Sequence, residues 1–321
     1  MHARTAAATA AALIGVGVLV LPASAAPAHS PATATAKAKE TAKAKETAKA
    51  TGAGPGSANA AKSDALVIVA HRGASAYAPE NTLAAIDKAR ELGFAWVEND
   101  VQRTKDGELV IMHDDSLART TNVEQVFPGR APWKVADFTA AEIAKLDAGS
   151  WFDAKFKGAR VPTLTQYMNR VERNHQKLVL EIKKPELYPG IERDTLRVLR
   201  KTGWLDRNHV KHKLVIQSFG ADSVKSVHAQ RPDIKTGFLG TPAVADLPAY
   251  AKFADQINSN HGTITADYVS AIHAQRGPHG RPLEILTWTV DDAANARRAA
   301  GFGVNGIITN RPDVVRDAVA D

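Results

Sequence analysis

The stretch Leu66–Thr82 reads LVIVAHRGASAYAPENT. Its first five residues are apolar and rich in β-branched side chains, which predicts a buried strand. His71 and Arg72 follow directly, and the chain then turns through Pro79 into a helical pattern. The sequence therefore predicts an acid/base group and a phosphate-binding cation at the C-terminal end of a strand, where α/β folds place their active sites.

The same arrangement recurs at three later points of the chain. Short apolar runs at 95–97, 109–112 and 178–180 have the composition of strand bodies. Polar, titratable residues follow these runs: Glu98 and Asp100, then His113, then Glu181 and Lys183. Because the carboxyl ends of parallel strands meet at one face of a barrel, we expect these side chains to lie close together.

Strand-like and helical segments alternate from Leu66 onward. Besides the four runs above, strand-like segments occur at 213–217, 234–239, 254–258, 284–290 and 306–309. Helical patterns occur at 82–92, 164–174, 190–201, 221–230, 291–301 and 312–319. This alternation implies an α/β protein with a parallel sheet, and the number of units favours a TIM (β/α)₈ barrel over residues 64–321. An open doubly wound sheet is the alternative, but no glycine-rich dinucleotide motif follows the first strand.

The segment 114–163 is too long to be an ordinary connection between a strand and a helix. It contains a capping box, Thr139-Ala140-Ala141-Glu142, which predicts the start of a short helix. We expect this segment to be a small insertion subdomain over the C-terminal face of the barrel. Trp151 and Phe152 are expected either to line the substrate mouth there or to form the insertion's own small core.

Five segments of the chain together resemble the glycerophosphodiester phosphodiesterase family. They are HRGASAYAPENTLAAIDKARELG, VENDVQRTKDGELVIMHDDSLARTTN, LDAGSWFDAKFKGARVPTLTQYM, LEIKKPE and LTWTVDD. The resemblance implies a TIM barrel that hydrolyses glycerophosphodiesters to sn-glycerol 3-phosphate and an alcohol. One departure is Asn99, where the family usually carries an apolar residue. Since side chains alternate along a strand, Asn99 should face the outer helices and leave Glu98 and Asp100 in place.

Three carboxylates, Glu98, Asp100 and Glu181, match positions at which the family binds a metal. Such residues, taken singly, are more often helix caps or surface charges. The chain has no cysteine, so thiolate metal sites, thiol catalysis and disulfides are excluded, and no metal-binding pair of histidines is evident. An all-oxygen set suits a divalent Ca²⁺ or Mg²⁺ cofactor better than zinc.

The remaining candidate residues suit the chemistry of a phosphodiester. Arg72 can bind phosphate oxygens through its planar guanidinium, and Lys183 can add a mobile positive charge. His71 and His113 follow different strands, so they can flank one phosphate as catalytic base and acid, and the sequence does not decide which is which. Trp288 is expected either to pack against the glycerol moiety or to be a core aromatic residue.

The attacking group is a hypothesis. We expect a glycerol hydroxyl next to the phosphate, with its pKa lowered by the metal, to attack phosphorus and give a cyclic phosphate that water opens. This expectation follows from the absence of an evident protein nucleophile beside the two histidines. Direct attack by water is the alternative.

The N-terminal residues are not expected to belong to the barrel. Residues 1–25 contain Arg4, an apolar stretch and a small-residue run ending at Ala25, which is typical of a signal peptide cleaved near Ala25. An uncleaved membrane anchor is the alternative. Residues 26–63 are an Ala/Lys/Thr-rich linker without an apolar stripe, and we expect it to be disordered. The protein is therefore expected to be secreted, with the linker a solvated spacer or a weak contact to an anionic cell surface.

The basic character of the chain is concentrated in that N-terminal part. Residues before Asp64 hold six lysines and one arginine against two glutamates, so they carry +5 of the net charge of +7. The remaining +2 does not indicate a nucleic-acid surface, and no zinc-finger or basic-aromatic motif is present. The expected partner is a small-molecule glycerophosphodiester.

Two other functions are compatible with the sequence. A phospholipase of the C or D type on the same barrel would act on intact lipids, but no exposed apolar run is evident outside the signal peptide. A cell-surface binding protein could keep the barrel without catalysis, although the intact set of histidines and carboxylates argues against this.

Overall fold

The computed structural model describes residues 66–320, and the predicted signal peptide and linker lie outside these residues. Within this part, the chain forms nine strands: β1 Val67–Ala70, β2 Trp96–Arg103, β3 Leu109–Ile111, β4 Lys177–Ile182, β5 Leu214–Ser218, β6 Lys235–Leu239, β7 Gln256–Asn258, β8 Leu286–Thr287 and β9 Gly306–Thr309. The α-helices are α1 Leu83–Glu91, α2 Val123–Val126, α3 Ala140–Ile143, α4 Leu164–Arg173, α5 Ile191–Lys201, α6 Arg207–His212, α7 Ala221–Gln230, α8 Leu247–Tyr250, α9 Ala266–His273, α10 Ala293–Gly301 and α11 Pro312–Val319. None of these helices is long and apolar enough to cross a membrane.

Eight of the strands are parallel and form the wall of a barrel. They follow one another in the order β7-β6-β5-β4-β2-β1-β9-β8. Parallel bridges between Gln256 and Glu284 and between Asn260 and Trp288 bring the two end strands together. The predicted TIM barrel is therefore confirmed, and the open doubly wound sheet is wrong.

The barrel strands are apolar because both of their faces are buried. One face fills the barrel interior with Val69, Val179 and neighbours from β5, β8 and β9. The other face, which includes Val97 and Leu180, packs against the surrounding helices. Alternation along each strand therefore separates the lumen from the outer layer.

Two of the nine strands differ from the sequence-based prediction. The run at 109–112 was expected to supply a barrel strand, but β3 pairs antiparallel with β2 and forms the return arm of a hairpin. Because β2 pairs with β3 as well as with β4, it continues to Arg103. Glu98 and Asp100 therefore lie within a strand and do not follow its end. Short helices such as α6 were not predicted, since α6 buries only Val210 and shows little periodicity.

The segment between β3 and α4 forms an insertion with its own apolar core, built around residues such as Leu117 and Phe138. The predicted capping box is confirmed, because the Thr139 side chain accepts from the Glu142 amide and the Glu142 carboxylate accepts from the Thr139 amide. Trp151 and Phe152 belong neither to this core nor to the lining of the central cavity. They form a separate edge-to-face cluster with Phe156, and the Trp151 side chain is exposed.

Candidate active site

The loop after β1 positions His71 and Arg72 at the mouth of the barrel. The His71 amide donates to the Thr309 carbonyl at the end of β9 (2.8 Å), and the Arg72 amide donates to Glu98 Oε2 (2.9 Å). Gly73 has φ +80°, and a Cβ atom there would lie 2.6 Å from Ala85 in α1. Only glycine permits this tight turn against the helix.

The three predicted metal ligands come together inside the barrel. Glu98 and Asp100 lie on one face of β2, and the register of β2 with β4 sets Asp100 beside Glu181. All three side chains are buried, and one oxygen from each lies within 4.8 Å of the others. This cluster is the only group of its kind within residues 66–320.

Burial and mutual repulsion shift the pKa values of these carboxyl groups. Burial, followed by Asp100 and Glu181, raises the pKa of Glu98 well above its usual range. Burial, followed by Asp100, raises the pKa of Glu181 to about 8. Burial alone would also raise the pKa of Asp100, but the adjacent Arg72 and Lys183 outweigh it and lower this pKa. The cluster therefore holds one stable anion and two carboxyls that ionise readily only when more positive charge is present.

Cationic groups border the cluster on both sides. Lys183 Nζ lies 2.8 Å from Glu181 Oε1 and 3.3 Å from Asp100 Oδ1, and Arg72 Nε lies 3.4 Å from Asp100 Oδ2. Asn81 donates from Nδ2 to Asp100 Oδ2 (2.8 Å), which fixes the orientation of that carboxylate.

The carboxylate cluster fits a hard divalent cation. The buried oxygens Asp100 Oδ1 and Glu181 Oε1 share one cationic partner, the Lys183 ammonium, and have no further polar partner among the described residues. Buried acceptors of this kind are costly unless a proton or a cation satisfies them. Three carboxylates with oxygen ligands only are the donor set that Ca²⁺ and Mg²⁺ prefer.

Hydrogen bonds fix the ring of His71. Its Nδ1 lies 2.8 Å from Asn310 Oδ1, and the Asn310 amide nitrogen donates to Asp291 Oδ2 (2.7 Å). Because a carboxylate only accepts, Asn310 must present its carbonyl oxygen to His71, so His71 Nδ1 carries a proton. Nε2 is then the basic nitrogen, 3.9 Å from Glu98 Oε2. Burial, followed by the nearby Arg72, lowers the pKa of His71 to about 4.

His113 is held in a different way, by the carboxylate of its neighbour. Its Nδ1 lies 2.6 Å from Asp114 Oδ1, which leaves Nε2 for the cavity. Burial lowers the pKa of His113, and the positive charges of Arg72 and Lys183 act in the same direction, while Asp100 and Asp114 oppose them.

All eight predicted site residues except Asp100 line one cavity of about 100 Å³ at the barrel mouth. Asp100 lies directly beneath it, in contact with Arg72 and Lys183, which both line the cavity. Trp288 is half-buried and lines the wall, with its Nε1 donating to the Asn258 carbonyl (2.9 Å). It is therefore not a fully buried core residue.

Several residues at this site were missed by the sequence-based reasoning. Phe219, after β5, lines the cavity beside Trp288, with ring centroids 5.5 Å apart, and Lys183 Nζ lies 5.5 Å from its ring. Asn310 directly follows β9, just as His71 directly follows β1. This position at the end of a strand could have marked Asn310 as a residue of the active site. Glu80 and Asn81 precede Thr82, the cap of α1, and contact Arg72 and Asp100 respectively.

Asn99 lies where the alternation along β2 predicted. It is fully buried on the face of Val97 and Val101, which pack in the outer core. Neither Asn99 Oδ1 nor Asn99 Nδ2 has a hydrogen-bond partner within residues 66–320. This polar residue therefore costs stability, while Glu98 and Asp100 on the opposite face keep their positions.

The fold and the site together define an α/β-barrel enzyme whose active site lies at the C-terminal mouth of the barrel. Residues 71–314 match the model of the glycerophosphoryl diester phosphodiesterase family. The chain belongs to this family, as the sequence segments indicated.

Individual relatives agree with this assignment. A glycerophosphodiester phosphodiesterase of Bacillus subtilis is 33% identical over 80% of this chain and 87% of its own length. One from Caldanaerobacter subterraneus is 35% identical over 79% of this chain and 97% of its own length. Among solved structures, an Oleispira antarctica phosphodiesterase in complex with the product sn-glycerol 3-phosphate has a TM-score of 0.68 and 27% identity, covering 79% of this chain and 97% of that one.

Proposed function

We propose that this protein hydrolyses glycerophosphodiesters to sn-glycerol 3-phosphate and an alcohol, with a divalent cation bound by Glu98, Asp100 and Glu181. The observation that carries the proposal is the meeting of three buried carboxylates, two cationic side chains and two histidines around one small cavity. The sn-glycerol 3-phosphate bound by the Oleispira relative supports the substrate class.

Arg72 and Lys183 bind the phosphate in this proposal. Both side chains lie at the cavity and are largely buried, so their charges are poorly screened by water. Arg72 is held by Glu80, which accepts from its Nη1 at 2.8 Å, and by Asp100. Its guanidinium is therefore oriented before the substrate arrives, which reduces the cost of binding.

The different partners of the two histidines suggest different roles. His71 is neutral at pH 7, with its protonated Nδ1 bound to an amide and its Nε2 free to accept a proton. We assign it as the base that takes the proton of the attacking hydroxyl. Burial keeps the pKa of His113 below its usual value, but the Asp114 carboxylate on Nδ1 favours the imidazolium form, so we assign His113 as the acid that protonates the leaving alkoxide.

A Ca²⁺ or Mg²⁺ ion at the three carboxylates would supply Lewis-acid stabilisation of an oxygen on the substrate. With His71 as base, the glycerol hydroxyl next to the phosphate forms a new P–O bond and the P–O bond to the alcohol breaks. Water then opens the cyclic phosphate. An ethylene glycol analogue without that hydroxyl tests this route, because cleavage at an unchanged rate would favour direct attack by water.

The proposed function is tested with purified protein, glycerophosphocholine, and either EDTA, Ca²⁺ or Mg²⁺. We expect release of sn-glycerol 3-phosphate and choline with one of the two metals and none with EDTA. Binding of glycerophosphocholine without turnover under all conditions would favour the binding-protein alternative.

The roles of the histidines are separated by a glycerophosphodiester with a p-nitrophenyl leaving group, which needs no protonation. His113→Ala should cleave this substrate far better than glycerophosphocholine, whereas His71→Ala should cleave neither. The opposite pattern would exchange the two assignments.

A second candidate function, the cleavage of lipid phosphodiesters, is favoured by one observation. Three of the exposed large apolar side chains, Leu187, Phe219 and Val244, lie on the loops that follow the adjacent strands β4, β5 and β6. They are far apart in sequence, so no apolar run revealed them. Phosphatidylcholine vesicles and lysophosphatidylcholine, assayed beside glycerophosphocholine, distinguish this candidate from the first.

We also propose that the protein is exported and cleaved near Ala25, on the basis of the N-terminal sequence pattern. N-terminal sequencing of protein recovered from the culture medium tests this. A mature chain that begins at Met1 would contradict it.

A further inference from the structure

A chain of ion pairs runs along the edge of the proposed active site. Arg119, in the insertion, donates from Nε to Asp114 Oδ2 (2.6 Å) and from Nη2 to Asp114 Oδ1 (3.1 Å). The same guanidinium donates to both oxygens of Glu80, at 2.8 and 2.7 Å. Glu80 also accepts from Arg72, and Asp114 accepts from His113. The chain therefore links a phosphate-binding residue to a proposed catalytic histidine.

The geometry distinguishes this chain from ordinary surface salt bridges, which contribute little. Arg119 makes four hydrogen bonds to two carboxylates, so its planar group has a single defined orientation. The Arg119 side chain is 45% exposed, but its two partners are more withdrawn from water, since the side chains of Glu80 and Asp114 are 13% and 28% exposed. Burial opposes ionisation of Asp114, but its hydrogen bonds to Arg119 and His113 lower its pKa to about 2.

The chain also crosses between two parts of the fold. Glu80 and Arg72 lie on the loop between β1 and α1, whereas His113, Asp114 and Arg119 follow β3 at the start of the insertion. Because His113 lies on a loop and not in a strand, its ring must be oriented by side-chain hydrogen bonds. The hydrogen bond of Asp114 to Nδ1 fixes the tautomer and leaves Nε2 toward the cavity.

We propose that Arg119 is a positioning residue, which holds Asp114 against Glu80 and through Asp114 orients His113 for proton transfer. The inference rests on the proposed function, because it concerns the same reaction. Within residues 66–320, Arg119 does not line the cavity and makes no hydrogen bond or ion pair with the proposed metal ligands.

The experiment compares kcat and KM for glycerophosphocholine in wild type, Asp114→Asn, Arg119→Gln and Arg119→Lys. We expect kcat to fall about 10- to 100-fold in Asp114→Asn and Arg119→Gln, with KM changed less than about threefold. Arg119→Lys keeps the charge but loses the planar fork, so it should recover only part of kcat. At a pH where the His113 ring is neutral, its ¹⁵N NMR signals should show one Nδ1–H tautomer in wild type and a mixture in Arg119→Gln.

Arg130→Gln is the matched control. Arg130 lies in the same insertion and pairs with Glu142 (2.6 Å), but it has no link to His113. It should share any loss of stability and keep the wild-type kcat and His113 signals. Wild-type kcat and an unchanged tautomer in Arg119→Gln would overturn the inference, as would an equal loss of kcat in Arg130→Gln. Absence of turnover in wild type would instead refute the proposed function.

Discussion

The pKa of Glu181 predicts how the stability of the metal-free protein depends on pH. Burial, followed by Asp100, raises this pKa from its ordinary value of 4.5 to about 8. A carboxyl with a raised pKa in the folded state contributes stability that is complete below the unfolded pKa and is lost as the pH rises to the folded pKa. The contribution of Glu181 to the free energy of unfolding should therefore fall between about pH 4.5 and about pH 8, by at most about 5 kcal/mol.

Urea titrations in EDTA at about pH 5, 6.5 and 8 measure this slope. Glu181→Gln resembles the protonated carboxyl at every pH, so the difference in free energy of unfolding between wild type and this variant isolates the contribution of Glu181 and should fall as the pH rises. Glu284→Gln makes the same change beside Lys235 at the opposite end of the barrel and should keep the wild-type slope. Added Ca²⁺ or Mg²⁺ should stabilise the wild type most at the highest pH, because the ligands must be ionised. Equal slopes in wild type and Glu181→Gln would refute this reasoning.

Three further predictions follow from the site. Replacing His71 or His113 by Ala should lower kcat for glycerophosphocholine by at least about 100-fold without altering the circular dichroism spectrum, because both residues lie on loops. Asn99→Val should raise the free energy of unfolding, measured in urea, by about 1–3 kcal/mol, because it removes a buried amide without partners. Trp288→Leu should raise KM for glycerophosphocholine more than it changes kcat, because Trp288 forms the wall of the cavity and not its catalytic end.

Each of these predictions has a result that contradicts it. Turnover retained in either alanine variant would remove that histidine from the catalytic role. A loss of stability in Asn99→Val would mean that the amide has a partner in solution. A fall in kcat at unchanged KM in Trp288→Leu would place the indole in the chemical step. The control for all three is His212→Leu, an exposed change outside the cavity.

The sequence predicted the barrel because strand and helix patterns are local, and the resemblance to the family marked three carboxylates on these strands as candidate metal ligands. Strand bodies are continuous apolar runs, and alternation along β2 was enough to place Glu98 and Asp100 on one face and Asn99 on the other. Which strand another strand pairs with, and in which direction, is not encoded in a local pattern. The run that became β3 is as apolar as a barrel strand, and only its short hairpin connection to β2 makes it antiparallel.

The residues that orient the site could not be read from the sequence. Asn310 lies 239 positions from His71, and Glu80 lies 39 positions from Arg119. Such pairs meet only when the barrel closes or the insertion folds over the mouth. The position of Phe219 at the cavity also depends on how the loops assemble. The residues around it in the sequence show no periodic pattern that would identify it as part of the active site.

The proposed reaction requires a divalent ion beside a phosphate that both histidines can reach. Anomalous diffraction from a crystal of this protein grown with Mn²⁺ and sn-glycerol 3-phosphate measures this directly. We predict one strong peak within about 2.5 Å of oxygens from Glu98, Asp100 and Glu181, with the phosphate between His71 and His113. A peak elsewhere, or an empty carboxylate cluster with the phosphate bound, would contradict the account.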